Sequence, residues 1–149
     1  MSEDILIIGA GQAGMQIAVT LREEGFTGGV TVVGEEPYAP YQRPPLSKAY
    51  LTGEADEETL EFRNAQFYRD HDITLVVGER ITDVTLTSEG GVATGSSGAS
   101  YPFTNLALTT GSTPRRLIAL GADLDGVLYM RSLDDAKALK QRWDAAKNV

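Results

Sequence analysis

Cysteine is absent from the 149 residues, which excludes disulfides, thiolate metal sites and a redox-active dithiol within them. Histidine occurs once, at position 71. His71 lies in a polar stretch of helical character, so it reads as a surface residue, and no metal site is expected. Positive charge is scarce: 13 Lys and Arg stand against 21 Asp and Glu, a net charge of −8. That balance excludes non-specific binding to nucleic acid or to anionic membranes. No apolar run is long enough to span a bilayer, and Glu3 and Asp4 stand where a targeting signal would be basic. A cytoplasmic protein is therefore expected. Internal repeats are lacking too, and the length suits one domain able to bury about two-thirds of its unfolded surface.

What is present begins at Ile5-Leu6-Ile7-Ile8-Gly9-Ala10-Gly11-Gln12-Ala13-Gly14. Four consecutive large aliphatics predict a strand buried on both faces of a parallel sheet. A helix follows, with Gly14, Ile17, Ala18 and Leu21 on one face, Gln16, Thr20, Glu23 and Glu24 on the other, and Gly25 at the C′ position. Between strand and helix runs G-x-G-x-x-G. Gly9 allows the tight turn, Gly11 lets backbone approach a pyrophosphate, and Gly14 lets helix pack closely on strand; Gln12 and Ala13 complete the cofactor-binding turn. The free N–H groups and positive dipole end of the helix face the phosphates. Val30-Thr31-Val32-Val33 is a second strand, ending at Gly34-Glu35, and Glu35 lies 21 residues past Gly14. Glu35, in preference to Glu36, is the expected acceptor for the adenosine ribose hydroxyls, and its charge disfavours a 2′-phosphate. The fingerprint alone does not choose between FAD and NAD.

From Glu36 to Leu51 the chain carries four prolines, three tyrosines and two cations, a stiffened loop suited to lying over a cofactor. Pro45 is placed to start a short helix through Leu46 to Leu51. Gly53 to Glu61 reads as a solvated connection, and Asn64 to His71 as a short helix. Thr74 to Val77 predicts a third buried strand ending at Gly78, which puts Glu79-Arg80-Ile81 at the carboxyl edge of the sheet, where ligands bind. Residues 82–103 predict a small antiparallel β-meander with a turn at Glu89-Gly90-Gly91. Asn105 to Thr109 predicts another sheet strand, and Gly126 to Met130 a last short one. Ser132 then caps a helix, with Asp135 at N3 and Ala136, Leu139, Trp143 and Ala146 on one face. The fold class is α/β: a Rossmann-like parallel sheet plus the meander. The chain stops at Val149 without the return strand that closes a doubly wound sheet, so an incomplete domain is expected.

Pro40-Tyr41-Gln42-Arg43-Pro44-Pro45-Leu46-Ser47-Lys48-Ala49-Tyr50-Leu51 makes the pattern specific. With Gly9, Gly11, Gly14, Glu35, Thr109-Thr110-Gly111 and the stretch from Tyr129 to Asp135, it resembles the amino-terminal, FAD-binding part of the NADH-dependent ferredoxin reductases of bacterial oxygenase and cytochrome P450 systems. The resemblance covers the whole chain and implies one FAD-binding domain over residues 1–149. It implies FAD as cofactor, NADH as co-substrate of the full-length parent, and a [2Fe-2S] ferredoxin as acceptor.

The resemblance further implies that Lys48 acts beside the reactive flavin ring and Arg43 toward ribityl and phosphate, with Pro44 next to it. A cation near the ring stabilises negative charge on reduced flavin, and guanidinium suits phosphate. It implies that Ile81 presents backbone to adenine, that Thr110 and Gly111 allow close approach near the ADP half, and that Arg131 pairs with the cofactor. Thr109 stands where the family often has alanine. The dithiol branch of the superfamily needs cysteines where this chain has R-P-P-L-S-K, so electrons are expected to leave to an external acceptor. A second Gly-rich fingerprint is missing, so the chain by itself is expected to be inactive. Alternatives are a module that holds FAD or ADP without turnover, an NAD-dependent Rossmann dehydrogenase, and an interaction protein resembling apoptosis-inducing factor.

Overall fold

The computed structural model of the chain describes residues 3–143. Along it run β1 (Asp4–Ile8), α1 (Gln12–Glu23), β2 (Gly29–Val33), a 3-10 turn (Pro44–Ser47), α2 (Ala49–Thr52), α3 (Glu57–Leu60), α4 (Ala65–Asp70), β3 (Ile73–Val76), β4 (Ile81–Thr87), β5 (Gly90–Gly95), β6 (Ser100–Phe103), β7 (Asn105–Leu108) and α5 (Leu133–Trp143). They fall into two units, residues 3–41 with 61–111 and residues 42–60 with 112–143.

In the first unit a four-stranded sheet has the order β3-β2-β1-β7. All its pairs are parallel, with Ile5 opposite both Val30 and Asn105. β1 is buried on both faces as its aliphatic run requires, with Leu6 1% and Ile7 0% exposed. Ile7 joins Met15, Ala18 and Val19 of α1 and Tyr68 of α4 in one core. Leu6 and Ile8 join Ala93 and Phe103 of the antiparallel β4-β5-β6 meander in the other. Alternate side chains of one strand thus anchor two different layers.

Helix α1 ends as predicted. Gly25 has φ +81°, its N–H donates to Arg22 O and that of Phe26 to Leu21 O, which is a Schellman motif. The buried stripe is Gly14, Met15, Ala18 and Val19, with Ile17 and Leu21 only half-buried. The apolar face is therefore turned from the expected one, because Met15 and Val19 meet the sheet squarely while Ile17 lies at the rim. The helix at 64–71 forms, capped by Asn64 Oδ1 on Phe67 N. His71 is exposed, stacked on Phe67 with Nδ1 2.8 Å from the Phe67 carbonyl.

Several expectations need correction. The third strand starts at Ile73 and lies at the sheet edge, so only Ile73 is buried: with β2 on one side only, its side chains are half covered. The meander turns at Ser88-Glu89, and Gly90-Gly91 already belongs to β5. The stretch 53–61 is more than a connection, since α3 carries Leu60, 1% exposed, after an Asp56–Thr59 cap in which Asp56 Oδ1 accepts from Thr59 N.

In the second unit the helix expected from Pro45 to Leu51 breaks at Lys48, φ −133°, ψ −112°. Prolines 44 and 45 have no N–H to give, so the first bonds are i→i+3, from Leu46 to Arg43 O and from Lys48 to Pro45 O. No strand forms over 126–130. That segment is held by side chains instead: Tyr129 Oη accepts from Leu117 N at 2.8 Å, and Arg116 stacks 4.4 Å over its ring. The cap of α5 is as predicted, Ser132 Oγ accepting from Asp135 N and Asp135 Oδ2 from Ser132 N. Leu133 and Ala136 are its buried residues, whereas Trp143 is 45% exposed. Ala146 lies outside the described residues.

Candidate functional site

The three fingerprint glycines differ in what surrounds them. Gly9 has φ +114°, and a Cβ there would lie 2.2 Å from Thr109 O. A Cβ on Gly14 would lie 2.0 Å from Gly9 O. Both positions are closed to any side chain. Around Gly11 nothing lies within 4 Å of such a Cβ, so that glycine faces open space. Gly11 is also the N-cap of the 12-residue α1, extended, with no side-chain cap and no acid in the first turn. Gln12 and Ala13 are exposed beside it. The first-turn N–H groups and the positive end of the helix dipole are thus presented without a competing carboxylate, a setting suited to phosphate.

β2 leads to the same turn. Gly9 N donates to Val33 O at 2.8 Å, and a Cβ on Gly34 would meet Ala10 Cβ at 2.4 Å. Glu35 follows, exposed, its Oε1 2.7 Å from Arg80 Nη1. Glu36 is engaged inward: its Oε2 accepts from Tyr41 Oη at 2.5 Å and its carbonyl from Gly78 N at 2.9 Å. Arg80 was not among the site residues read from sequence. Its partner is 45 positions away, and no local spacing signals such a pair.

Ile81 opens β4 opposite Gly95 and packs in the core shared by sheet and meander. Glu79, two residues earlier, is 8% exposed. It accepts from Ser96 Oγ at 2.8 Å, Ser97 N at 3.0 Å and the Ser97 hydroxyl. The Ser97 hydroxyl, then the Ser97 N–H and the Ser96 hydroxyl, hold its carboxyl below the ordinary range, against the effect of burial. Tyr101 is pushed up by burial and then by the Glu79 charge. Glu79 therefore fixes the β5–β6 connection beside Ile81. Thr110 and Gly111 are exposed past β7, Gly111 with φ +73°.

The second unit holds Arg43, Pro44, Lys48 and Arg131. Arg43 caps the 3-10 turn with Pro44 at its first position, and its Nη1 donates to the Arg131 carbonyl at 2.8 Å. Arg131 N in turn donates to Asp135 Oδ2 at 3.0 Å. The cap of α5 thereby holds the Arg131 backbone where the Arg43 guanidinium meets its carbonyl. Lys48 is exposed, Nζ 3.3 Å from Pro44 O. Among the described residues no group of His, Asp and Glu could hold a metal, and no helix is long and apolar enough to cross a membrane.

The first unit thus combines an uncapped helix start, open space at Gly11 and an exposed carboxylate after β2, features that suit an ADP-bearing dinucleotide. Residues 3–149 match the pyridine nucleotide-disulphide oxidoreductase family. Rhodocoxin reductase from Rhodococcus erythropolis is 44% identical over 135 residues, 91% of this chain and 31% of that protein. Rubredoxin-NAD(+) reductase from Pseudomonas putida is 38% identical over 138 residues, 93% and 35%. Among solved structures, a ferredoxin reductase from Rhodopseudomonas palustris has TM-score 0.86 and 39% identity, covering 96% of this chain and 35% of that one. A covalent putidaredoxin reductase–putidaredoxin complex has TM-score 0.84 and 32% identity, with 94% and 34% covered. The chain spans about a third of the length of the relatives it matches.

Proposed function

Because the chain belongs to the pyridine nucleotide-disulphide oxidoreductase family, we propose that it is the FAD-binding part of a reductase that passes electrons from NADH to a [2Fe-2S] ferredoxin. The observation that carries this reading is the Gly9–Gly14 turn, closed at both ends and open at Gly11, on an uncapped helix start. In this reading Gly11, Gln12 and Ala13 bind pyrophosphate through backbone N–H, Glu35 accepts from the adenosine ribose, Ile81 offers backbone to adenine, and Thr110 and Gly111 admit the ADP half closely. Arg43, Pro44, Lys48 and Arg131 serve the flavin half, Lys48 as the cation nearest the ring. Bound FAD would supply the exchange between a two-electron donor and a one-electron acceptor. The chain holds no cysteine, so no dithiol within it receives the electrons. Relatives named for ferredoxin, rubredoxin and putidaredoxin support an external electron carrier, with rubredoxin the alternative.

A second reading applies to the 149 residues by themselves: a module that holds the dinucleotide without turnover. It is favoured by the single Gly-rich fingerprint. Titration of the chain with FAD, followed by flavin fluorescence, tests what both readings share. Saturable binding that ADP displaces is expected. Failure of both FAD and ADP to bind would overturn the dinucleotide site.

A further inference from the structure

β7 ends against the fingerprint turn, and the side chain of its next residue, Thr109, reaches into that turn. We propose that Thr109 is a positioning residue for the pyrophosphate-binding turn; this rests on the reading of that turn as a dinucleotide site. Thr109 Oγ1 lies 2.8 Å from Gly9 O and 3.1 Å from Ile8 O. The Ile8 carbonyl already accepts from Thr109 N at 2.8 Å, so the single hydroxyl proton goes to the nearer acceptor, Gly9 O.

That bond sets the orientation of one peptide. Gly9 has φ +114° and lies between β1 and α1, outside strand and helix alike. In a planar trans peptide the C=O and the following N–H point in opposite directions. Thr109 holds the Gly9 carbonyl toward α1, where a Cβ on Gly14 would lie 2.0 Å from it and 2.8 Å from Thr109 Oγ1. Ala10 N–H is thereby turned away from α1. The position a Cβ would take on Gly34 lies 3.4 Å from Ala10 N, on the side leading to Glu35. Rotation of this peptide would reverse the dipole, taking the Gly9 carbonyl out of its contact with α1 and pointing its partial negative charge to the open side of the turn. Alanine at 109 leaves the same backbone without this restraint, so the hydroxyl adds rigidity to the turn in this chain.

The test compares ADP and adenosine as probes, by calorimetry on the 149-residue chain and its Thr109→Val and Thr109→Ser variants. Loss of the hydroxyl in Thr109→Val is expected to weaken ADP roughly three- to tenfold, the worth of one net hydrogen bond, and to leave adenosine, which carries no phosphate, within about twofold. Thr109→Ser keeps the hydroxyl and is expected to bind ADP like the parent. Should Thr109→Val not fold, Thr109→Ala carries the same expectation with a smaller side chain. Equal losses for ADP and adenosine, or unchanged ADP affinity without the hydroxyl, would overturn the inference while leaving the dinucleotide site standing. No ADP binding by the parent chain would overturn both.

Discussion

Two glycines of one motif are required for different physical reasons. A side chain at Gly14 would collide with Gly9 O at 2.0 Å, whereas one at Gly11 meets nothing within 4 Å. Gly14→Val should therefore lower the melting temperature, while Gly11→Val should leave it nearly unchanged and abolish FAD binding, because the new side chain takes the place of the phosphates. Equal thermal losses in the two variants, read by circular dichroism, would contradict this division. Glu35 and Glu36 divide in the same way, one exposed and paired with Arg80, the other tied to Tyr41. Glu35→Ala is expected to weaken FAD by about 1.5–3 kcal/mol, the range for hydrogen bonds to charged groups, or roughly tenfold to a hundredfold. An unchanged dissociation constant would remove Glu35 from the site.

At the scale of elements, the termini of α1 and α5 show how local chemistry holds helices whose packing is distant. Arg22, in the last turn of α1, donates to the carbonyls of Phe26, Gly28, His71 and Asp72, joining the helix end to the exit of α4. At the other end of the chain, Ser132 and Asp135 form a reciprocal cap. Ser132→Ala should cost about 1 kcal/mol. Burial raises the Asp135 carboxyl, but the Ser132 N–H and hydroxyl, the Arg131 N–H and the Arg116 charge outweigh it and leave it below the ordinary 3.8. A carboxyl whose pKa is lowered on folding stabilises above its unfolded value, and the contribution fades as pH falls through the folded one. Asp135→Asn should thus melt lower than the parent at pH 7, and the gap should close as pH falls through the lowered Asp135 pKa, below the ordinary 3.8. A gap that persists in acid would show that the charge is not what Asp135 contributes.

For the whole molecule, the question is how many dinucleotides 149 residues can hold in order. Hydride transfer needs the reacting atoms fixed roughly 3–3.5 Å apart, and one Gly-rich helix start fixes one dinucleotide. The relatives are about three times longer than the span they share with this chain. FAD-loaded chain mixed anaerobically with NADH should bleach no faster than free FAD, with no saturation in NADH. Saturable bleaching well above that of free FAD would reveal a nicotinamide site within these residues. β7 is hydrogen-bonded to β1 alone among the described residues, and Leu108 on it is 68% exposed. An open apolar edge of this kind favours association of the isolated chain.

What was legible from residues alone was what depends on neighbours within a few positions. The strand-turn-helix at Gly9–Gly14, the stop at Gly25, the Ser132 cap and the alternation of the meander all follow from spacing. The bonds at Gly25 and Ser132 close over three to five residues, and the others rest on periodicity and turn residues within a short window, so the sequence states them directly. The strand expected over 126–130 failed for the opposite reason: apolar residues make a strand only where an edge exists to pair with, and spacing does not say where edges are. Tertiary structure alone set the contacts that shape the site. Thr109 reaches Gly9 across 100 positions, Arg43 reaches Arg131 across 88, and Arg80 reaches Glu35 across 45. Each depends on which strand ends and loops the fold brings side by side; for Thr109 and Arg80 that is set by burial of two core faces on one central strand, and for Arg43 by the cap of α5, not by any local pattern.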